Sequence, residues 1–353
     1  MTTPNRPPER RPRPQAETFP LTLSRAEAQR RRESKGVKGS GVGPTPARGR
    51  PASRKIDSLS SRALDPSLVR QLVEAALAED RAADDITTNA LVPPGQSGRA
   101  TITAQAEGVL AGLPLARATF AHVDSTLKWT DLKAEGARIS PGDNVATVEG
   151  ALASILRAER VALNFLAHLS GIASLVGAVI ILLEGSKCSL RDTRKTTPGL
   201  RVVEKYAVRT GGGTNHRLDL SDGILIKDNH LAALKAQLPV ATDHIREAVR
   251  LARKSHPGVA IELEVTSIDE AQRALAAAAD ELLLDNMSLR DMTDTVRLAA
   301  KRKPRPLLEA SGGITLASAR AVADTGVDFI SMGAITHSAP ALDLSLEVEA
   351  SWR

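Results

Sequence analysis

Six short apolar runs in the second half of the chain, at residues 188–190, 224–226, 259–265, 282–284, 307–308 and 329–332, are separated by helical patterns. Each run ends on residues with chemical use: Arg191 and Asp192, Lys227, Glu264, Asp285, Ser311 and Gly333. Few folds accept such a pattern. The alternation predicts parallel strands joined by crossover helices, hence an α/β architecture. Functional groups gathered at the carboxyl ends of parallel strands are the arrangement of a TIM-type barrel. An open doubly wound sheet is the alternative, but no Gly-x-Gly-x-x-Gly turn opens the first strand.

The upstream half reads differently. Residues 66–77 have helical spacing with Asp65 as a cap. Short β-type runs then occupy residues 100–104, 109–112 and 145–148, with turns at Pro93-Pro94-Gly95 and Pro141-Gly142-Asp143, and predict a small α+β domain. A long amphipathic segment at residues 154–183, interrupted at Gly171, leads into the second half.

At 353 residues, 42% of them hydrophobic, the chain can bury the cores of two domains. Its formal charge of +6 is unevenly spread: residues 1–62 carry 15 Lys/Arg against 5 Asp/Glu, so the rest is net acidic. That tail also holds nine of the 20 prolines and little apolar periodicity, and is expected to be disordered. Without interleaved aromatics it gives little reason to expect a nucleic-acid partner, and it has no apolar core of a secretory signal. The longest apolar stretch, residues 175–183, falls short of the roughly 20 residues a bilayer needs and reads as a buried helix. A single cysteine, Cys188, excludes an intrachain disulfide and multi-cysteine metal sites, and fits the reducing cytoplasm.

The chemistry is densest in three motifs: Arg191-Asp192-Thr193-Arg194-Lys195-Thr196-Thr197-Pro198-Gly199, Arg209-Thr210-Gly211-Gly212-Gly213-Thr214-Asn215-His216-Arg217, and Ile226-Lys227-Asp228-Asn229-His230. Arg194, Lys195, His216, Arg217 and Lys227 supply positive charge, and the three glycines let backbone N–H groups approach a ligand. A solvated basic face accounts for any one motif. Three together, set among turn formers beside apolar runs, point to an anion-binding site. His216 reads as a general acid/base, a neutral donor or a satisfied structural histidine. Lys227, ending an apolar strand, needs a partner, either an anionic ligand or Asp228.

Ser311, Gly312, Gly313, Gly333 and Ala334 follow the last two predicted strands, where such barrels hold a phosphate. Glu264 and Asp285 are carboxylates in otherwise apolar strands. A buried ion pair is one reading; Mg²⁺ or ribose hydroxyls are preferred, because Mg²⁺ takes one or two carboxylates completed by phosphate oxygens and water. The residues alone support an enzyme that handles a phosphorylated ribose and an acidic second substrate with Mg²⁺.

From Asp65 onward the chain resembles the quinolinate phosphoribosyltransferase family. The three motifs occur in that family's order and spacing, joined by Glu159-Arg160, Leu163-Asn164, His168-Leu169-Ser170-Gly171-Ile172 and Glu309-Ala310-Ser311-Gly312-Gly313. Ala83 stands where the family usually has glycine. The resemblance implies an N-terminal α/β sandwich domain at residues 63–170, an incomplete, seven-stranded TIM-like barrel at 171–337, and a C-terminal segment, 338–353, returning to the first domain. It implies a homodimer, open to further assembly, with Arg160 acting in trans. Arg194, Lys195, His216, Arg217 and Lys227 would surround quinolinate, and Ser311 to Gly313 with Gly333 and Ala334 would take the 5-phosphate. Lys195, Lys227, Glu264 and Asp285 are the implied catalytic residues, Glu264 and Asp285 also the Mg²⁺ ligands. The implied reaction joins quinolinate to phosphoribosyl pyrophosphate, giving nicotinate mononucleotide, pyrophosphate and CO₂ in NAD biosynthesis, with no organic cofactor. Two rivals stand beside it: a molybdenum-transport-associated phosphoribosyltransferase-like protein, which shares part of the motif set, and a non-enzymatic polyanion-binding protein.

Overall fold

The computed structural model describes residues 63–351, so the tail expected to be disordered lies outside the described residues. Helix α1 (Pro66–Glu79) begins where the sequence supplies a cap: the Asp65 carboxylate accepts from the Ser67 N–H at 2.7 Å, with proline in the first turn. Val69, Val73 and Leu77, four residues apart, form its buried stripe. A 3₁₀ turn (Ala82–Asp84) follows. Its left-handed residue is Arg81, with φ 52°, so the turn accepts an alanine at position 83. Helix α2 (Ile86–Leu91) is capped by Asp85, which accepts from the Thr87 and Thr88 N–H groups at 3.0 Å.

Strands β1 (Ser97–Ala104) and β2 (Gly108–Val109), helix α3 (Leu113–Val123), and strands β3 (Lys128–Asp131), β4 (Arg138–Ile139) and β5 (Asn144–Ala151) follow. The run predicted at residues 109–112 is a strand only in its first residue; Gly112, at φ 104°, already starts α3. Helix α4 (Leu152–Leu183) is continuous for 32 residues, contrary to the break expected at Gly171. That glycine serves a close approach instead. A Cβ there would lie 2.0 Å from the Pro340 carbonyl oxygen, so the helix admits the crossing chain only without a side chain. By length and composition α4 resembles a membrane span, yet its apolar face is covered by protein: Ile155, Ala158, Ala162 and Leu166 pack in one core, Leu169, Ile172, Val176 and Val179 in the other.

The second half runs β6 (Ser189–Arg191), α5 (Arg201–Thr210), β7 (Ile224–Ile226), α6 (Asp228–Lys235), α7 (His244–Ser255), β8 (Ile261–Val265), α8 (Ile268–Ala276), β9 (Glu281–Asp285), α9 (Leu289–Ala299), β10 (Leu307–Ser311), α10 (Leu316–Ala323), β11 (Phe329–Ser331), α11 (Ala334–His337) and β12 (Leu344–Ser351). All six apolar runs become strands. They form one parallel sheet in the order β6-β11-β10-β9-β8-β7. The seventh position, beside β6, is held by a single parallel bridge between Thr214 and Arg191. The glycines before it explain why no longer strand forms: Gly211 and Gly213 lie so close to Ala173, Val176 and Val208 that this backbone packs on α4 and α5.

The first half folds around an antiparallel sheet, β12-β1-β5-β3. Its edge strand is the chain's last, β12, paired with β1 from Ala104 opposite Leu344 to Ser97 opposite Ser351.

Candidate active site

Side chains alternate along a strand, so every second residue of β6 and β8–β10 faces the barrel interior. Glu262 and Glu264 share that face of β8, Glu281 and Asp285 that of β9, Glu309 and Ser311 that of β10. The register sets Glu262 opposite Glu281 and Asp285 opposite Ser311. Two polar tiers result. The lower holds Arg191, Glu262, Glu281 and Glu309, all buried. The upper, at the carboxyl ends, holds Glu264, Asp285 and Ser311, joined by Lys227 from the end of β7.

Buried charges persist only when paired. In the lower tier the Arg191 guanidinium bonds Glu281 and, at 2.6 Å, Glu309, while lying over the Phe329 ring. Three carboxylates nonetheless face one guanidinium. Glu281 is consequently pushed up to about 7: burial contributes most, Arg191 opposes it, and the charges of Glu262 and Glu309 add to it. Glu309 is also raised, by burial first and then by Glu262. Since the ordinary value of Glu281 is 4.5, the folded protein holds a proton that the unfolded chain has already released at intermediate pH. Its contribution to stability is therefore complete below pH 4.5 and lost as pH rises through 7. Glu281→Gln is expected to flatten the fall in unfolding free energy between pH 4.5 and 8 by up to about 3 kcal/mol. Urea titrations across that range measure it, and equal slopes in both proteins would refute it.

The loop carrying His216 is clamped from both sides. Its N–H donates to Asp192 at 2.9 Å, its carbonyl accepts from Lys205 at 3.1 Å, and Lys205 is itself ion-paired with Asp192 in full burial. The Asn215 amide bonds Asp192 as well. Both His216 ring nitrogens are engaged: Nε2 lies 2.9 Å from Glu262, and Nδ1 accepts the Arg217 N–H at 2.8 Å. Burial disfavours the imidazolium, but the Glu262 hydrogen bond and the Glu309 charge outweigh it and raise the histidine's pKa. Among the described residues, His216, Glu262 and Glu309 are the group whose ligand atoms, within 4.8 Å of one another, have the spacing for a cation. The tautomer argues against that use. An Nδ1 that accepts a backbone N–H leaves the proton on Nε2, which then donates to Glu262 and has no lone pair for a metal.

Around the barrel mouth the predicted residues converge from several loops. Lys195 is held through its main chain, its N–H donating to the Thr193 hydroxyl at 3.0 Å and its carbonyl accepting from the Thr336 hydroxyl at 2.7 Å. Its side-chain stem crosses Gly333, where a Cβ would lie 2.9 Å from Lys195 Cδ and 3.1 Å from His337 Nε2. The following residues are tied to α5: the Thr197 N–H donates to Glu204, whose other oxygen bonds His168 on α4 at 3.0 Å. Burial would raise Glu204, but these hydrogen bonds prevail and hold it below its ordinary value.

Two guanidinium groups lack full compensation here. Arg194 Nε is buried without a hydrogen-bond partner. Arg217 is pushed down, by burial first and then by the like charge of Arg194. Lys227 Nζ lies 3.3 Å from Glu264, so its protein partner is this carboxylate of the neighbouring strand and not the adjacent Asp228. The Asp285 carboxylate accepts from the Asn286 amide at 2.9 Å. Gly312 passes so close to Asn286 that a Cβ would sit 2.4 Å from its side chain; with Gly313 it takes the left-handed backbone, φ 91° and 58°, that lets successive N–H groups line a concavity. Ala334 opens α11 beside Gly333. Arg160 is exposed on α4, with its guanidinium 3.8 Å from Glu159.

Reading the sequence left out Glu262, Glu281 and His337. The first two were signalled by charge at alternate positions, Glu262-Leu263-Glu264 and Glu281 to Asp285. His337 carried no such mark, and only the packing of Gly333 brings it beside Lys195.

Residues 85–170 match the N-terminal and residues 172–347 the C-terminal domain family of quinolinate phosphoribosyl transferase. The nicotinate-nucleotide pyrophosphorylase [carboxylating] of Mycobacterium leprae is 40% identical over 282 residues, covering 79% of this chain and 96% of the relative. The human protein of the same name is 38% identical over 290 residues, covering 81% and 94%. Among solved structures, NadC from Streptococcus pyogenes superposes with a TM-score of 0.76 at 39% identity, covering 82% of this chain and all of that one.

Proposed function

Because the chain belongs to the quinolinate phosphoribosyltransferase family, whose members are pentosyltransferases of pyridine-nucleotide synthesis, we propose that it joins quinolinate to phosphoribosyl pyrophosphate and releases nicotinate mononucleotide, pyrophosphate and CO₂. The observation that carries this reading is the under-compensated cation pair, Arg194 with its buried, unpartnered Nε and Arg217 depressed beside it. Quinolinate offers two adjacent carboxylates, and guanidinium forks suit carboxylates in bidentate geometry. Lys195 and Lys227 extend the positive surface, and His216 lies beneath it.

The Ser311-Gly312-Gly313 backbone and the Gly333-Ala334 turn take the 5-phosphate. Two hard carboxylate oxygens at neighbouring strand ends, Glu264 and Asp285, fit Mg²⁺, which completes its shell with substrate oxygens and water. Bound there, Mg²⁺ would neutralise charge on the departing pyrophosphate. The protein's own part is to hold the ring nitrogen toward the anomeric carbon, to place Lys195 and Lys227 near developing negative charge, and to keep carboxylates near the cationic sugar. The C–N bond forms as the C–O bond to pyrophosphate breaks; the resulting pyridinium then accepts the electron pair released with CO₂, and a proton replaces the lost carboxylate.

Exposed on α4, Arg160 completes the site of a second copy in a homodimer. Purified protein incubated with quinolinate, phosphoribosyl pyrophosphate and Mg²⁺ is expected to yield nicotinate mononucleotide and CO₂ in equal amounts. A folded protein that forms neither would overturn the assignment.

A further inference from the structure

We propose that Glu262 is a positioning residue: it fixes the tautomer and rotation of His216, and through His216 the main chain and guanidinium of Arg217. The inference rests on the reading above for its substrate, but not for its geometry.

Glu262 is an expensive residue to keep. Its side chain is buried, one oxygen bonds His216 Nε2 at 2.9 Å, and the other has no hydrogen-bond partner. Arg191, the guanidinium of that tier, bonds Glu281 and Glu309 instead. Removing one member of a buried pair ordinarily costs stability, but the Glu262 charge also raises the neighbouring carboxyls Glu281 and Glu309, so pairing alone does not explain its presence. What it does is orient the imidazole. With Nε2–H directed at Glu262, Nδ1 becomes the acceptor for the Arg217 N–H. Asp192 and Lys205 already clamp the His216 main chain, leaving the ring and the next peptide as the remaining freedom, and Glu262 removes it. Arg217 is thereby set to meet a ligand while its Nη1 donates to the Gly223 carbonyl at 3.1 Å.

The test compares Glu262→Leu and Glu262→Gln in the full chain. Glu262→Leu is expected to raise KM for quinolinate about tenfold or more, with kcat and KM for phosphoribosyl pyrophosphate changed by less than about threefold. Glutamine keeps an acceptor oxygen for Nε2–H, so Glu262→Gln should recover most of that loss. Independently of turnover, ¹⁵N NMR of histidine-labelled protein at alkaline pH should show His216 as the Nε2–H tautomer in the parent and in Glu262→Gln, and as a mixture in Glu262→Leu. An Nδ1–H tautomer in the parent, or an unchanged quinolinate KM in Glu262→Leu, overturns the proposal. If Glu262→Leu does not fold, the parent's tautomer and the Glu262→Gln kinetics decide it. A protein inactive on quinolinate that still shows the expected tautomers refutes the substrate and not the positioning.

Discussion

Lys205→Met is expected to destabilise the protein by about 3–5 kcal/mol, the cost of stranding one member of a buried ion pair. Lys205 and Asp192 are both essentially inaccessible to water, and the lysine also donates to the His216 carbonyl. Methionine matches the stem but removes the ammonium, leaving the Asp192 carboxylate hydrogen-bonded by the Asn215 amide and the His216 N–H. Neutralising the stranded charge should help, so Asp192→Asn combined with Lys205→Met should cost less than the two single changes together. Urea unfolding at neutral pH measures all three proteins. A single-variant loss below about 1 kcal/mol would show that water reaches the pair and that the clamp on the loop is weaker than its geometry implies.

Lys195→Ala should act in the opposite sense, sparing the fold and removing catalysis. Lys195 is exposed, its loop is held by main-chain hydrogen bonds, and its side chain makes no ion pair among the described residues. Thermal unfolding should therefore be nearly unchanged. Turnover should fall about 10³-fold, the order seen when a group stabilising transition-state charge is lost. Lys195→Arg separates charge from shape: a planar guanidinium fork replaces a compact ammonium, so arginine should restore only part of the rate. An alanine variant within tenfold of the parent would refute a catalytic role for this lysine.

Much of this site could be read along the chain because its signals are local. Arg194, Lys195, Arg217 and Lys227 lie within motifs beside strand ends, and Ser311 to Gly313 directly after one. The same holds for caps: Asp65 and Asp85 act on amides two and three residues away. The expectation of a break at Gly171 failed for the converse reason. A glycine inside a helical pattern reads as an interruption, and only the chain crossing at Pro340 shows that it makes room.

By itself, then, the sequence determined the order of strands and helices, the charges at the strand ends and the glycines beside them, since capping, alternation and turn geometry each act over a few residues. Tertiary structure decided the partners. Lys227 meets Glu264, His216 meets Glu262 across 46 residues, Arg191 meets Glu281 and Glu309 across 90 and 118, and the last strand closes the first sheet against β1. Such pairings have no periodic signature, because strand neighbours are chosen by how helices bury their apolar faces, and that choice depends on the whole chain at once.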